Sequence, residues 1–191
     1  INNSGSISAG VGIGVIGGST VHGTIVDSGT ILATSRGILI GSGSEILAGS
    51  SIAVDIAGKT FTGGISNDGV ISGAVGIEVV SAHGVNVFDG GAISGGSGGT
   101  AVDFKAGGDT LTLGAGYTIG GEVVGGGGTL QLGGSGADNF DLSSVGSAAQ
   151  YQNFSTFNVV GGAWTVSGTG GDWNVDSGGT MLLASGGVLS N

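Results

Sequence analysis

Four stretches of this sequence place chemically capable residues at suggestive spacings. Gly133–Leu142, GGSGADNFDL, satisfies the nonapeptide G-G-x-G-x-D-x-U-x, which in tandem arrays cradles Ca²⁺ in parallel β-rolls. Gly12–Gly17 reads G-x-G-x-x-G with Asp27 downstream, the outline of a dinucleotide fingerprint. Gly95–Gly99 reads G-x-S-x-G, the outline of a nucleophile elbow at Ser97. Asp55, Glu78 and Asp103 occupy matching places in AVDI, GIEV and AVDF, a carboxylate set of the kind that binds a divalent cation or attacks a glycosidic bond.

The flanking residues argue against each. Ca²⁺ takes six to eight oxygens, drawn in a β-roll from two consecutive turns. The nine residues before the motif, VGGGGTLQL, put Thr129 where the Asp belongs and Gln131 where an aliphatic belongs. The nine that follow hold no glycine pair, so Asp138 is expected at a glycine corner, solvated. After Gly17 the chain reads β-branched and glycine-broken, GSTVHGTIVDSG, and no helix opens to receive a pyrophosphate. The elbow needs a preceding strand, a following helix and a histidine; only His22 and His83 exist, each alone between strand signals. Arg36, Lys59 and Lys105 are the whole basic set, too thin to grip a polyanionic polysaccharide. The three carboxylates, ~5 Å apart if they ladder, would repel unless solvated or bridged by a cation; a solvated surface is the expectation. Thr60/Thr62 and Thr110/Thr112 hint at an ice-binding face, but read as pairs that do not recur on successive turns. No catalytic, cofactor-binding or metal-ligating residue is assigned, and no cofactor is expected.

The elements that would carry these residues are short strands. Of 191 residues 48 are glycine, none is proline, and the apolar set is mainly Val, Ile and Leu, which excludes collagen and disfavours helices and disorder. A net charge of −10 leaves no cationic surface for nucleic acid or anionic membranes. There is no cysteine, hence no disulfide or thiolate metal site. No apolar run reaches the ~18 residues of a spanning helix. Ile1 stands inside a repeat, as in a piece of a longer protein.

The repeat has three parts. I-x-x-x-G-x-I occurs as INNSGSI (1–7), IVDSGTI (25–31) and ISNDGVI (65–71). GIGV, GILI, AVDI, GIEV and AVDF follow; aligning Ile13, Ile38, Val54, Ile77 and Val102 gives steps of 25, 16, 23 and 25, a mean of about 22. A third strand lies near Val21, Ile46, Phe61, Val87 and Leu111. Three strands per period of about 20–25 residues predict one turn of an all-β parallel β-helix, with Asp55, Glu78 and Asp103 outward and glycine supplying positive φ at the corners. Roughly nine turns at ~4.8 Å would make a rod on the order of 40 Å. The expectation is a single solenoid over 1–191 with an irregular excursion at 143–153.

The run from Gly98 to Thr169 resembles the glycine-rich passengers of bacterial autotransporters (type V secretion). AQYQNFSTFNVVGGAWTVSGT looks like the stretch preceding the passenger-associated transport repeat, and GGAWTVSGTGGDWNVDSGGTMLLASG resembles that repeat, placing such turns at 159–191. The resemblance implies a right-handed β-helix, exported through the outer membrane to the cell surface by a C-terminal outer-membrane β-barrel of the same polypeptide. It also implies a non-catalytic role as stalk, adhesin or self-association module, with host-surface, glycan or sibling-passenger contacts, no nucleic acid and no direct membrane insertion. The alternative is a carbohydrate-active β-helix protein, lyase- or hydrolase-like.

Overall fold

In the structure, a computed structural model that describes residues 1–80 and 84–190, the chain winds as a β-solenoid of about 7 turns in which every strand pair is parallel. Strand accounts for 56% of residues and helix for 2%, as glycine corners and β-branched runs require. Three sheets form the first five turns. Sheet A stacks Asn2–Asn3, Ile25–Asp27, Ile52–Ile56, Val75–Val79, Thr100–Phe104, Glu122–Val124 and Tyr151–Gln152. Sheet B begins with the long strands Ser6–Val15 and Thr30–Ile40 and continues through Ile65–Asn67, Asn86–Asp89, Thr110–Leu113, Thr129–Leu132, Thr156–Val159 and Asn174–Val175. Sheet C runs from Thr20–His22 through Glu45–Leu47, Val70–Ser72 and Ala92–Ser94 to Thr118–Gly120.

From the sixth turn the cross-section changes. Sheet C stops, and a new sheet D of Ala137–Asp141, Gly162–Ser167 and Gly179–Leu183 takes over that wall. The chain between Asp141 and Tyr151 makes a 3₁₀ turn, Leu142–Ser144, and then meets the end of sheet C. There Gln150 Nε2 donates to the carbonyls of Ile119, 3.0 Å away, and Gly121, 3.2 Å away, beside the last strand of that sheet.

The core is a set of stacked columns. Ile13, Ile38, Ile65, Val87, Leu111 and Leu130 succeed one another in sheet B. Ile25, Val54, Ile77, Val102, Val123 and Tyr151 do so in sheet A, and Val21, Ile46, Ile71, Ile93 and Ile119 in sheet C. Most are completely buried, each worth roughly 1.5–3 kcal/mol of transfer free energy.

These registers correct the sequence alignment. GIGV and GILI lie in sheet B, whereas AVDI, GIEV and AVDF lie in sheet A, so the step of 16 joined two different walls. Likewise Val21 and Ile46 belong to sheet C but Val87 and Leu111 to sheet B. Turns are longer than 22 residues where the corners are wide, as between Asp27 and its partner Ile56, which is why the count falls from nine to about seven.

The I-x-x-x-G-x-I element is a corner, and it serves two different corners. Asn3 and Asp27 turn the chain from sheet A into sheet B; Asn67 and Asp89 turn it from B into C. All four side chains point inward. Asn3 Nδ2 donates to Asp27 Oδ1 of the next turn at 2.7 Å, and Asn67 Nδ2 to Asp89 Oδ1 at 2.7 Å. Each Asx oxygen also accepts the N–H two residues on: Gly5, Gly29, Gly69 and Gly91. The side chains therefore satisfy corner donors that a buried bend would otherwise orphan.

The glycine of this corner is required by proximity. Gly5, Gly29, Gly69 and Gly91 have no positive φ, contrary to expectation. Instead a Cβ on Gly29 would overlap the Gly5 carbonyl oxygen of the turn below, and one on Gly91 would overlap that of Gly69. Positive φ is used at other bends, such as Gly43 at 74°. Gly5, in the first turn, has nothing within 4 Å of its would-be Cβ. Gly29→Ala should thus cost about 3 kcal/mol or more, while Gly5→Ala in the same motif should change stability by less than about 1 kcal/mol. Urea unfolding of the two variants checks this; equal losses would refute the close-approach explanation.

Asp89 gives the fold a pH dependence. It is fully buried, one oxygen holds Asn67 and Gly91, and the other has no partner. Burial pushes its pKa up to about 6, against the lowering effect of those two hydrogen bonds and with a further push from Asp68. Because the folded value lies above the unfolded one, the contribution is full below about pH 4 and is lost as pH rises through about 6, a change on the order of 3 kcal/mol. Asp89→Asn keeps the Oδ1 acceptor and removes the buried charge. It should raise the melting temperature at about pH 8 and flatten the slope between about pH 4 and pH 6; an unchanged slope would show that Asp89 does not titrate there.

Candidate functional site

Outward side chains along parallel strands form straight columns, because successive turns stack in register. Two such columns hold polar groups in an order the linear sequence hides.

On sheet A, Asp55, Glu78 and Asp103 are direct register partners, flanked by Val26 below and Val124 above. The acidic ladder is real, but it is not simply solvated. Glu78 and Asp103 are each 16% exposed at the side chain, and Lys105 Nζ lies 3.5 Å from Glu78 Oε2 and hydrogen-bonds Asp103 Oδ2. The bridging cation is thus a lysine two residues beyond Asp103, on the same outward side of an alternating strand. Its own pKa is raised, first by the Asp103 hydrogen bond. Asp55 lies beyond this bridge: burial, then Glu78, pushes its carboxyl up, and Oδ1 has no partner. Among the described residues no three His, Asp or Glu side chains converge closely enough to hold a metal ion.

On sheet B two columns run side by side. Asn86, Thr110, Thr129 and Thr156 form one. Ser66, Phe88, Thr112, Gln131, Asn158 and Asn174 form the other. Thr112 Oγ1 donates to Gln131 Oε1 at 3.1 Å, and Asn174 Nδ2 to Asn158 Oδ1 at 3.2 Å. Thr-x-Thr itself does not recur after Thr110/Thr112, as expected, but the two places stay polar: the following turns carry Thr129/Gln131 and Thr156/Asn158 there. The other pair differs. Thr60 pairs with Thr30, while Thr62 Oγ1 accepts from the Ala33 N–H and donates to the Ala33 carbonyl, taking the place of a backbone partner. A period-two search within one segment misses the ladder, since its members are separated by a whole turn and substitute Gln or Asn for Thr.

The remaining motifs have structural roles. Asp138 Oδ2 accepts from the Gly116 N–H of the previous turn at 2.8 Å and Oδ1 from Asn139 N–H at 2.8 Å, so the nonapeptide aspartate, half-buried with both bonds at the surface, ties the corner at Gly116. Gly12 and Gly14 lie inside the strand Ser6–Val15, with no helix after them. Ser97 sits in a turn closed by Gly99 N–H donating to the Gly96 carbonyl at 2.6 Å. His22 is on the opposite edge strand of sheet C, and His83 lies outside the described residues. Trp164 is buried, its Nε1 donating to the Gly161 carbonyl at 3.1 Å, and Trp173 packs against Phe140 and Phe157. These aromatics fill the end of the core, Trp164 completely and Trp173 in part.

The arrangement is therefore a rod whose walls offer shallow, ordered rows of hydroxyls and amides on one side and a lysine-bridged carboxylate row on another. Lys105→Gln should lower stability by at most about 1 kcal/mol, because the pair is partly exposed, and the loss should shrink as salt is raised. Denaturant midpoints at low and high salt check this; a salt-independent loss would point to packing of the lysine stem instead. No family model, curated protein or solved structure matches this chain.

Proposed function

We propose that this chain is a non-catalytic segment of a bacterial autotransporter passenger, a surface-displayed rod used for adhesion or self-association. The observation that carries the reading is the parallel solenoid itself, stacked without interruption for about 7 turns and built without cysteine. A chain of this kind can cross a membrane unfolded and fold turn by turn on the far side, each turn completing the edge left by the one before. The residues most similar to passenger sequences, from Gly98 onward, include the turns where sheet D replaces sheet C and where the aromatic core lies. The ordered polar rows on sheet B supply the contact surface, since a rod of half-buried Thr, Gln and Asn offers many weak, pre-oriented hydrogen bonds at little entropic cost.

The test is to sequence the source gene downstream of Asn191. A run of some 250–300 residues in ~10-residue alternating strands, the signature of an outer-membrane barrel, is expected after further turns. A stop codon without such a run would overturn the export route.

A further inference from the structure

The wall of sheet B holds a shallow depression of about 260 Å³ whose lining includes one cation and one aromatic ring and no carboxylate. Arg36, Ser66, Asn86, Phe88 and Thr112 contribute its polar and aromatic lining. In a chain with 13 acidic residues against three basic ones this is a distinctive composition. The ion pairs among the described residues all belong to Lys105. The Arg36 guanidinium donates from Nη1 to the Ser35 carbonyl at 3.2 Å and keeps its remaining donors.

Among the described residues, Phe88 is the one aromatic in the outward columns of this wall. Its ring is seated by glycines of its own and the next turn: a Cβ on Gly114 would stand 2.6 Å from Phe88 Cζ, and one on Gly90 would stand 3.3 Å from Cε1. The ring is therefore held along the backbone beside Gly114 and Gly90, at the rim of the depression. Asn86, two residues before it, and Thr112, its register partner in the next turn, bring an amide and a hydroxyl to the same place.

We infer that this depression binds a saccharide carrying a carboxylate, of the uronic-acid type, with Arg36 on the carboxylate and Phe88 under the sugar ring. The chemistry selects this class. A planar guanidinium matches a carboxylate bidentately. The face of a phenyl ring suits the apolar C–H face of a pyranose, and Asn86 and Thr112 suit its hydroxyls. Openness and shallowness fit one or two sugar units, a ligand short enough for a single guanidinium, unlike the long polyanion for which the three cations are too few. The inference rests on the adhesive reading above for its biological sense, but its test does not.

The purified chain is titrated with trigalacturonate and with the methyl ester of the same trisaccharide, followed by NMR shifts and calorimetry. Saturable binding of the acid is expected, with the ester weaker by about tenfold, as loss of a charge-assisted hydrogen bond implies. Arg36→Gln should weaken the acid by about the same factor and leave the ester unchanged. Phe88→Ile, which keeps a β-forming apolar residue on the strand, should weaken both ligands. Circular dichroism and melting temperature verify that each variant is folded. Absence of saturable binding to the unaltered chain, equal binding of acid and ester, or indifference to both substitutions would each overturn the assignment. Competition by inorganic sulfate as effective as the trisaccharide would also do so, reducing the depression to a plain anion site. Because no export step is involved, a failure here leaves the passenger reading standing, and a missing downstream barrel leaves a positive titration standing.

Discussion

Everything in this molecule follows from the ~4.8 Å spacing at which parallel strands hydrogen-bond to the turn below. In a flat sheet that spacing constrains only strands. In a solenoid it constrains corners as well, because the bends are carried along and stack too. A corner must therefore hide its backbone donors without help from water and must leave no side chain between consecutive bends. The Asx-x-Gly corner meets both demands at once. The carboxamide or carboxylate turns inward and takes the orphaned N–H, while the glycine lets the carbonyl of the previous turn come into contact. Where the corner is wider the inward position reverts to an aliphatic: Asp27 is followed by Ile56 in its column and Asp89 by Leu113.

That interchange explains what could and could not be read from the sequence. The fold class was legible, because glycine abundance, absent proline and short β-branched strands leave few alternatives. The outward placement of Asp55, Glu78 and Asp103 was legible too, since each sits between inward aliphatics in one strand. Phase was not. A strand of sheet A and one of sheet B obey the same local rules, so GILI and AVDI look alike although they face different walls. Only the odd step of 16 residues signalled the mismatch, and only backbone pairing resolves it. The polar rows on sheet B were hidden for a related reason: Thr110, Thr129 and Thr156 become neighbours through the turn length, which varies from one turn to the next.

Buried polarity was the least legible property of all. Asn67 and Asp89 stand in a column that is otherwise aliphatic, from Val15 and Ile40 to Leu113, Leu132 and Val159, and a hydropathy pattern assigns them to solvent. Their burial has a cost, visible in the raised pKa of Asp89, and the return is a bend with its donors satisfied. The same logic applies outside. Lys105 lies across Glu78 and Asp103 because like charges one strand apart need a counter-charge, and the alternation of the strand delivers one two residues later.

The replacement of sheet C by sheet D at the sixth turn has a consequence of its own. Along sheet C a slip of one whole turn would exchange isoleucine for isoleucine, since Ile46, Ile71 and Ile93 succeed one another. That column has translational near-symmetry. The junction breaks it: Gln150 bonds to the end of the terminal strand of sheet C, and Asp138 to the corner at Gly116. It thus acts as an origin mark along the rod, fixing where the wall of sheet C ends although its own core column repeats.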